Sequence, residues 1–258
     1  MVTSVSLQPE NNPLINMTMN DQKLFDKYGR EVSLSGRTGS AIGTQLMRKV
    51  YNWMALALIV TGLTAYYVAT HFAREMMSGG TMLIFIILEL AVVFILSARI
   101  QKLSFQTAGL MFLAYSVLNG ITLSYIFLLY TAQSISSAFF IAAGTFVAMS
   151  LVGYFTKKNL SNLGGYLLMA LIGLIIAMVV NMFVRNSMFD LIISCIGVLV
   201  FVGLTAYDTQ KIKQLALEYG NDVNEQTQKI ALMGSLMLYL DFINLFLYLL
   251  RLLGRSNN

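Results

Sequence analysis

The chain has 258 residues, of which 57% are hydrophobic and only 11% are charged. Soluble domains carry about 25% charged residues, so this composition excludes an ordinary water-soluble domain and indicates a membrane protein. The net charge of +5 comes from basic residues scattered between apolar runs, which indicates membrane topology and no nucleic-acid partner. The single cysteine, Cys195, excludes an internal disulfide and a cysteine-built metal site.

Two regions of different composition divide the chain. Residues 1–48 are polar and rich in Ser, Asn, Asp and Gly, which predicts a flexible cytoplasmic tail. Residues 49–258 hold seven apolar stretches, each near the roughly 20 residues that a helix needs to cross a bilayer, and predict one seven-span transmembrane domain. Because these runs are continuous rather than alternating, they favour an all-α bundle over a β-barrel. In chain order the predicted spans are Val50–Ala69, Thr81–Ala98, Thr107–Tyr130, Ser136–Phe155, Leu163–Val184, Met188 to at least Tyr207, and Ile230–Leu253.

The lysine and arginine residues that flank the spans predict the orientation of the bundle. If the spans alternate in direction, nine of them fall on one side: Arg48, Lys49, Arg99, Lys102, Lys157, Lys158, Lys211, Lys213 and Lys229. Four fall on the other side: Arg74, Arg185, Arg251 and Arg255. This excess predicts a cytoplasmic N-terminus, and seven spans then place the C-terminus outside. Every connection is short except the predicted loop between the last two spans, roughly residues 211–229.

Three carboxylates fall within the apolar spans: Glu89 in the second, Asp208 near the end of the sixth and Asp241 in the middle of the seventh. A central aspartate costs about 2.5–3.5 kcal/mol on insertion scales. Ionisable residues inside a membrane therefore mark a functional site by default. Helical spacing predicts a polar stripe around Asp241, which must face protein or water rather than lipid. Residues expected on this stripe or facing the same interior are Gly234, Asn244, Tyr248, Thr205, Asn119 and Asn181.

Asp208 and Asp241 lie on successive spans and can therefore meet inside the bundle. At short range in a medium of low dielectric both cannot ionise cheaply, so such a pair holds one proton. The protonated pair closes by a hydrogen bond, whereas two anions repel and a cation can replace the proton. Hard oxygen ligands suit Ca²⁺, but two carboxylates are too few for a tight site, which needs six to eight oxygens. We expect a weak transit site for Ca²⁺ at Asp208 and Asp241 and no tightly bound cofactor. The alternative is structural, with the acids pairing with Arg99 or backbone groups to lock the helices.

Motifs for enzymatic chemistry are missing from the sequence. It contains no HExxH, no GxSxG and no Gly-rich phosphate loop. An intramembrane aspartyl protease also uses two aspartates on neighbouring spans, with YD on one and GxGD on the next. Tyr207-Asp208 fits the first half, but Asp241 follows Tyr239-Leu240 without a glycine. We therefore expect that the protein is not an enzyme.

Four segments resemble the Bax inhibitor-1 family, also called the transmembrane Bax inhibitor motif family. YDTQKI at Tyr207–Ile212 and LYLDFINLFLYLLRLLG at Leu238–Gly254 are the most specific of these segments. NGITLSYIF at Asn119–Phe127 and LELAVVF at Leu88–Phe94 resemble the third and second spans of that family. The likeness covers about Leu46 to Gly254, and it identifies the chain as a bacterial-type member.

The resemblance implies a seven-helix fold with the last helix central, wrapped by the other six, and a pH-dependent Ca²⁺ leak through the bundle. By position, Asp208 and Asp241 match the paired aspartates of the family, and Glu89 matches its second-span glutamate. The family's bacterial structural example also has an arginine that latches the sixth-span aspartate. Arg99 is the candidate here, but it stands one residue out of register, which turns a helix by about 100°.

Two functions follow as expectations. The first is a pH-sensitive Ca²⁺ leak gated by Asp208 and Asp241, with Glu89, Arg99, Asn244 and Thr205 in support and Ca²⁺ as the permeant ion. The second is a regulator without flux of its own, since the resemblance includes modulators of a membrane-bound AAA protease and suppressors of cell death. Its partner would bind the tail. Membrane lipid is the expected surrounding, and length and topology fit a bacterial inner membrane.

Overall fold

The computed structural model describes residues 23–25, 31–72, 79–219 and 224–255, with side chains from Gln45 onward. Within these ranges two short antiparallel strands, β1 (Lys23–Phe25) and β2 (Glu31–Ser33), precede the helices. The helices are α1 (Leu34–His71), α2 (Gly79–Arg99), α3 (Phe105–Leu123), α4 (Ile126–Leu129), α5 (Ala132–Phe155), α6 (Ser161–Val184), α7 (Ser187–Tyr219) and α8 (Glu225–Leu253).

Seven of these helices are long and apolar enough to cross a membrane, and α4 is a single turn that continues the third span. The predicted all-α seven-span architecture is thereby confirmed. Polar side chains at the connections begin several helices: Ser104 accepts a hydrogen bond from the Thr107 amide, and Asn224 accepts one from the Thr227 amide at 2.9 Å. Such caps satisfy backbone N–H groups that a helix start leaves unpaired.

The boundaries of three elements differ from the sequence-based expectation. Helix α1 begins at Leu34, well before the predicted start at Val50, and its residues Leu46 and Met47 are already buried. Most of the predicted tail, residues 1–48, lies outside the described residues. Helix α7 continues to Tyr219 through much of the predicted loop, because Ile212 and Ala216 form an apolar face that is buried in the bundle. The third predicted span is interrupted between α3 and α4.

Helix α8 is the centre of the bundle. It packs against α1, α3, α5 and α7, whereas α2 packs on α3 and α6 packs on α7 at the periphery. Of the most apolar stretch of α8, 72% is buried, against 39% or less for every other span. Tyr239 of α8 is fully buried between α1 and α3, where its hydroxyl lies 2.7 Å from the hydroxyl of Thr61. Thr61 in turn donates to the carbonyl oxygen of Ser116.

Contacts between connections show that the spans alternate in direction. At one end Glu225 accepts a hydrogen bond from the Phe105 amide, and Gln210 bonds to the segment that joins α5 and α6. At the other end Arg251 pairs with Asp190 at 3.4 Å. The nine cations predicted to share one side therefore lie at one end of the bundle, which we call the basic end. Which face of the membrane this end occupies stays a prediction.

Candidate functional site

Asp208 of α7 and Asp241 of α8 lie in the interior of the bundle, with exposed fractions of 7% and 4%. Both belong to the interface between α7 and α8, and both line the same cavity. Asp241 stands about 24 Å along the axis of α8 from Glu225, at roughly 1.5 Å per residue, near the middle of the span. The structure therefore brings together the two aspartates that the sequence singled out.

A cavity of about 350 Å³ contains both carboxyl groups, and we call it the aspartate cavity. Asn244 and Tyr248 line it one and two turns beyond Asp241, as the predicted stripe requires. The remaining lining is apolar and comes from α6, α7 and α8: Leu171, Ile175, Met178, Phe201, Leu204, Met237 and Leu240. The polar side chains of this cavity therefore come from Asp208 of α7 and from Asp241, Asn244 and Tyr248 of α8.

One carboxylate oxygen in this cavity is left without a donor. Asp241 Oδ2 is buried and receives no hydrogen bond from any donor in the described part of the chain. The neighbouring Asp208 carboxyl can donate to Asp241 only when it carries a proton. Lys211 is the next charged residue along α7, one turn beyond Asp208. A buried carboxylate without a donor is costly, so this site calls for a proton or a cation.

The donor set limits what a cation site here can be. The polar side-chain groups of this cavity are the two carboxylates, the amide of Asn244 and the hydroxyl of Tyr248. Asn244 Nδ2 donates to the carbonyl oxygen of Leu240 at 2.8 Å, and the Tyr248 hydroxyl donates to Met178 Sδ at 3.1 Å. No group of three or more His, Cys, Asp or Glu side chains that could hold a metal occurs among the described residues. Such a set fits brief occupation by a hard cation rather than a tight Ca²⁺ site.

Thr205 lies beside this site without lining the cavity. Its side chain is fully buried, and its hydroxyl donates to the carbonyl oxygen of Phe201 at 2.7 Å. The Thr205 hydroxyl therefore donates its hydrogen bond within α7 and not to either aspartate.

Glu89 belongs to a separate polar cluster between α2 and α3. Its carboxylate accepts hydrogen bonds from Asn119 Nδ2 and, at 2.7 Å, from the hydroxyl of Thr122. Asn119, expected to face the aspartates, thus faces Glu89 instead, because α3 carries it to the α2 side. Asn181 also lies away from the aspartates. Its side chain accepts a hydrogen bond from the Asn186 amide at the end of α6 and donates one to Asp190.

Arg99 does not reach the aspartates. It is the exposed last residue of α2, and no carboxylate in the described ranges lies within salt-bridge distance of it. Gln101, two residues beyond Arg99, lines a cavity together with Lys211 of α7, but the exposed Arg99 side chain forms no ion pair there with any described residue. The latch that the resemblance implies for this arginine is not made in this structure, in line with its shifted register.

A second cavity, which the sequence did not predict, adjoins the aspartate cavity. It measures about 310 Å³, lies at the basic end between α7 and α8, and includes Gln101, Lys211 and Gln226 in its wall. Met237 lines both this basic-end cavity and the aspartate cavity, so its side chain stands between them. Met237 precedes Asp241 by four residues, and this helical spacing could have predicted from the sequence that the two residues share one face of α8.

This chain is similar to one protein family and to several bacterial proteins over most of its length. The family model described as inhibitor of apoptosis-promoting Bax1 matches residues 43–258. The inner membrane protein YbhL of Escherichia coli (strain K12) is 46% identical over 211 residues, covering 81% of this chain and 90% of that protein. A protein of Rickettsia prowazekii is 46% identical over 216 residues, covering 82% and 90%. A protein of Borreliella burgdorferi is 42% identical over 220 residues, covering 84% and 94%.

Proposed function

This chain belongs to the Bax inhibitor-1 family, and from that membership and the aspartate cavity we propose that it is a pH-sensitive Ca²⁺ leak in a bacterial inner membrane. Asp208 and Asp241 form the gate. The observation that carries this proposal is the unpartnered, buried Asp241 Oδ2 beside a second carboxyl group, in a cavity at mid-span. A buried carboxylate with a purely structural role would be expected to accept hydrogen bonds from neighbouring donors. A carboxylate that binds a proton or an ion needs an oxygen atom that is free to do so.

The pair works as an exchange of one proton for one cation. With a shared proton, Asp208 and Asp241 hold α7 and α8 together by a hydrogen bond. As the pH rises the proton leaves, two like charges at short range repel each other, and a cation is attracted in its place. The few oxygens at the site bind Ca²⁺ weakly, so that the ion can leave again. Flux should therefore rise with pH.

The test is Ca²⁺ influx into proteoliposomes loaded with a Ca²⁺-sensitive dye, between pH 6 and pH 8. The wild-type protein should admit Ca²⁺ faster at pH 8 than at pH 6. Asp208→Asn combined with Asp241→Asn should remove the pH dependence, because neither amide can exchange a proton for a cation in this range. A pH response that survives in this double variant would refute the role of the pair.

Asp190→Asn is the matched control. Asp190 is also an acid of α7, but it is partly exposed at the end opposite the basic end, where it pairs with Arg251. Its removal should leave the pH response unchanged. Equal loss of the response in Asp190→Asn would show that any acid of α7 matters, and the gate would have to be sought elsewhere.

A regulator without flux is the second candidate function. Its support is the extension of α1 from Gln45 back to Leu34, beyond the apolar span, which offers a rigid attachment for a partner such as a membrane-bound AAA protease. Deletion of residues 1–44 removes this extension but spares the buried Leu46 and Met47, so the fold should persist while the partner is lost from pull-down experiments. An unchanged set of partners after this deletion would remove the support for this function.

A further inference from the structure

A cleft between α1 and α5 opens on the outside of the bundle, with α8 as its floor. Two cavities of about 540 and 380 Å³ make up this α1–α5 cleft. Both are lined by Leu58 of α1, Phe139 of α5 and Phe242 of α8, so the two cavities adjoin at these side chains. Phe242 directly follows Asp241, but one residue turns a helix by about 100°, and the cleft lies on a different side of α8 from the aspartate cavity.

The interior of the α1–α5 cleft can receive only a hydrocarbon. Its serine and threonine hydroxyls already have protein partners: those of Thr61 and Ser136 each donate to a backbone carbonyl oxygen at 2.9 Å, and Ser150 accepts from Thr209 at 3.5 Å. The other lining residues are Met54, Gly62 and aliphatic or aromatic side chains, of which the two tyrosines, Tyr51 and Tyr154, stand at the basic end. A polar ligand would lose its hydrogen bonds to water here without replacing them.

The chemistry changes at the basic end of the cleft. On the α1 wall Tyr51 lines the cleft, and the exposed Arg48 lies one helical turn before it on the same face. On the α5 wall Tyr154 lines the cleft and the exposed Lys157 and Lys158 follow it. Both walls thus end in a tyrosine and then in cations, the order found where side chains meet lipid headgroups.

Within the described part of the chain these cations have no ion-pair partner. Among the residues that the structure describes, no carboxylate lies within salt-bridge distance of Arg48, Lys157 or Lys158. Lys213 of α7 adds a further charge at this corner, with its Nζ 4.6 Å from the centre of the Tyr154 ring. The described residues of this corner therefore present positive charge beside an apolar cleft, and a ligand with an anionic head and an apolar tail complements both.

The length of the cleft suits an acyl chain. The larger cavity extends along α5 from Phe155 to Phe139, about 24 Å at roughly 1.5 Å per residue. The hydrocarbon of a single leaflet is about 15 Å deep, half of the roughly 30 Å of a bilayer. A chain that enters from the basic end can therefore lie in the larger cavity over its full length.

We propose that the α1–α5 cleft binds one acyl chain of an anionic phospholipid from the leaflet at the basic end, and that Arg48, Lys157 and Lys158 hold its phosphate group. Basic pockets between spans are a known way to retain such headgroups. This site is separate from the aspartate pair and does not depend on the proposed Ca²⁺ leak.

The test is a lipid titration of the full chain in mild detergent, followed by native mass spectrometry. The two probes are palmitoyl-oleoyl phosphatidylglycerol and the phosphatidylcholine with the same acyl chains. Each cation near an anionic headgroup contributes about fivefold in affinity, so the three cations together should make phosphatidylglycerol bind on the order of a hundredfold more tightly. Lys157→Gln with Lys158→Gln should weaken phosphatidylglycerol binding by roughly 30-fold and leave phosphatidylcholine binding unchanged. Arg99→Gln with Lys102→Gln removes the same charge at the same end, away from the cleft, and should change neither.

A second pair of variants tests the cleft itself. Ala143→Phe places a ring inside the cleft and should weaken binding of both lipids, whereas Val152→Phe adds the same ring on α5 outside the cleft and should not. Equal affinity of the wild-type protein for both lipids would overturn the proposal. So would unchanged binding in either test variant. A dimer that Ala143→Phe dissociates would show instead that a second copy of the chain occupies the cleft.

Discussion

Single glycines set how closely the helices of this bundle approach one another. Gly153 of α5 lies against the backbone of α7, so that a Cβ at this position would overlap the carbonyl oxygen of Ala206. A Cβ at Gly120 of α3 would come within 2.7 Å of the backbone oxygen of Thr61. Small residues at such crossings allow the backbone contact that drives helix association in lipid, where hydrophobic burial contributes little between helices.

Gly153→Ala should therefore destabilise the protein. The added methyl group meets backbone rather than a flexible side chain, so α5 and α7 must separate, at a cost of about 1–3 kcal/mol. Thermal unfolding in detergent should show a clearly lower midpoint temperature. Gly144→Ala is the control on the same helix, because nothing lies within 4 Å of its Cβ position and alanine favours the helix. Equal midpoints for the two variants would contradict the close crossing.

At the scale of elements, α8 presents a different chemistry on each side. Tyr239 bonds to α1, Asp241 faces the aspartate cavity, and Phe242 forms the floor of the α1–α5 cleft. The stripe that carries Asp241 also carries Met237, which separates the aspartate cavity from the basic-end cavity. A narrow apolar constriction can block ions by excluding water, so we expect Met237 to be the barrier on the proposed path.

Met237→Ala should join the two cavities and raise Ca²⁺ influx into proteoliposomes. We expect roughly a tenfold rise at pH 8, which corresponds to about 1.4 kcal/mol removed from the barrier. Met233→Ala is the matched control: it lies one turn earlier on α8 and lines only the basic-end cavity. An influx that rises equally in both variants, or in neither, would show that Met237 is not the constriction.

At the scale of the whole molecule, charge is unevenly divided between the two ends of the bundle. The connections that bear most of the lysines meet at the basic end, where Lys229 also pairs with Glu225 at 3.1 Å. An excess of cations is typical of cytoplasmic loops. We therefore expect the basic end in the cytoplasm and Arg255, at the opposite end, outside.

Thiol labelling of cells that express the protein tests this orientation. Cys195→Ser provides a background without thiols, since Cys195 is the single cysteine. A maleimide that cannot cross membranes should label Arg255→Cys in cells with an intact inner membrane. It should label Lys102→Cys only after that membrane is made permeable. The opposite pattern would invert the orientation and with it the leaflet from which the proposed lipid enters.

Much of the fold could be predicted because it depends on local composition. Each span is an apolar run that must satisfy its own backbone in lipid, so the helices follow from the order of residues alone. Helix ends that depend on packing against other helices could not be predicted. The helix from Lys211 to Tyr219 contains charges that suggested a loop, and it forms because Ile212 and Ala216 are buried in the bundle.

The candidate site shows the same division. That Asp208 and Asp241 are costly in a membrane and must face an interior follows from the order of residues, because it depends on the energy of a charge in hydrocarbon. Which polar groups meet depends on the packing of the helices. It pairs Glu89 with Asn119, leaves Arg99 exposed and inserts Met237 between two cavities. Those outcomes depend on the rotation of each helix about its axis and on its neighbours, and packing between helices far apart in the chain sets both.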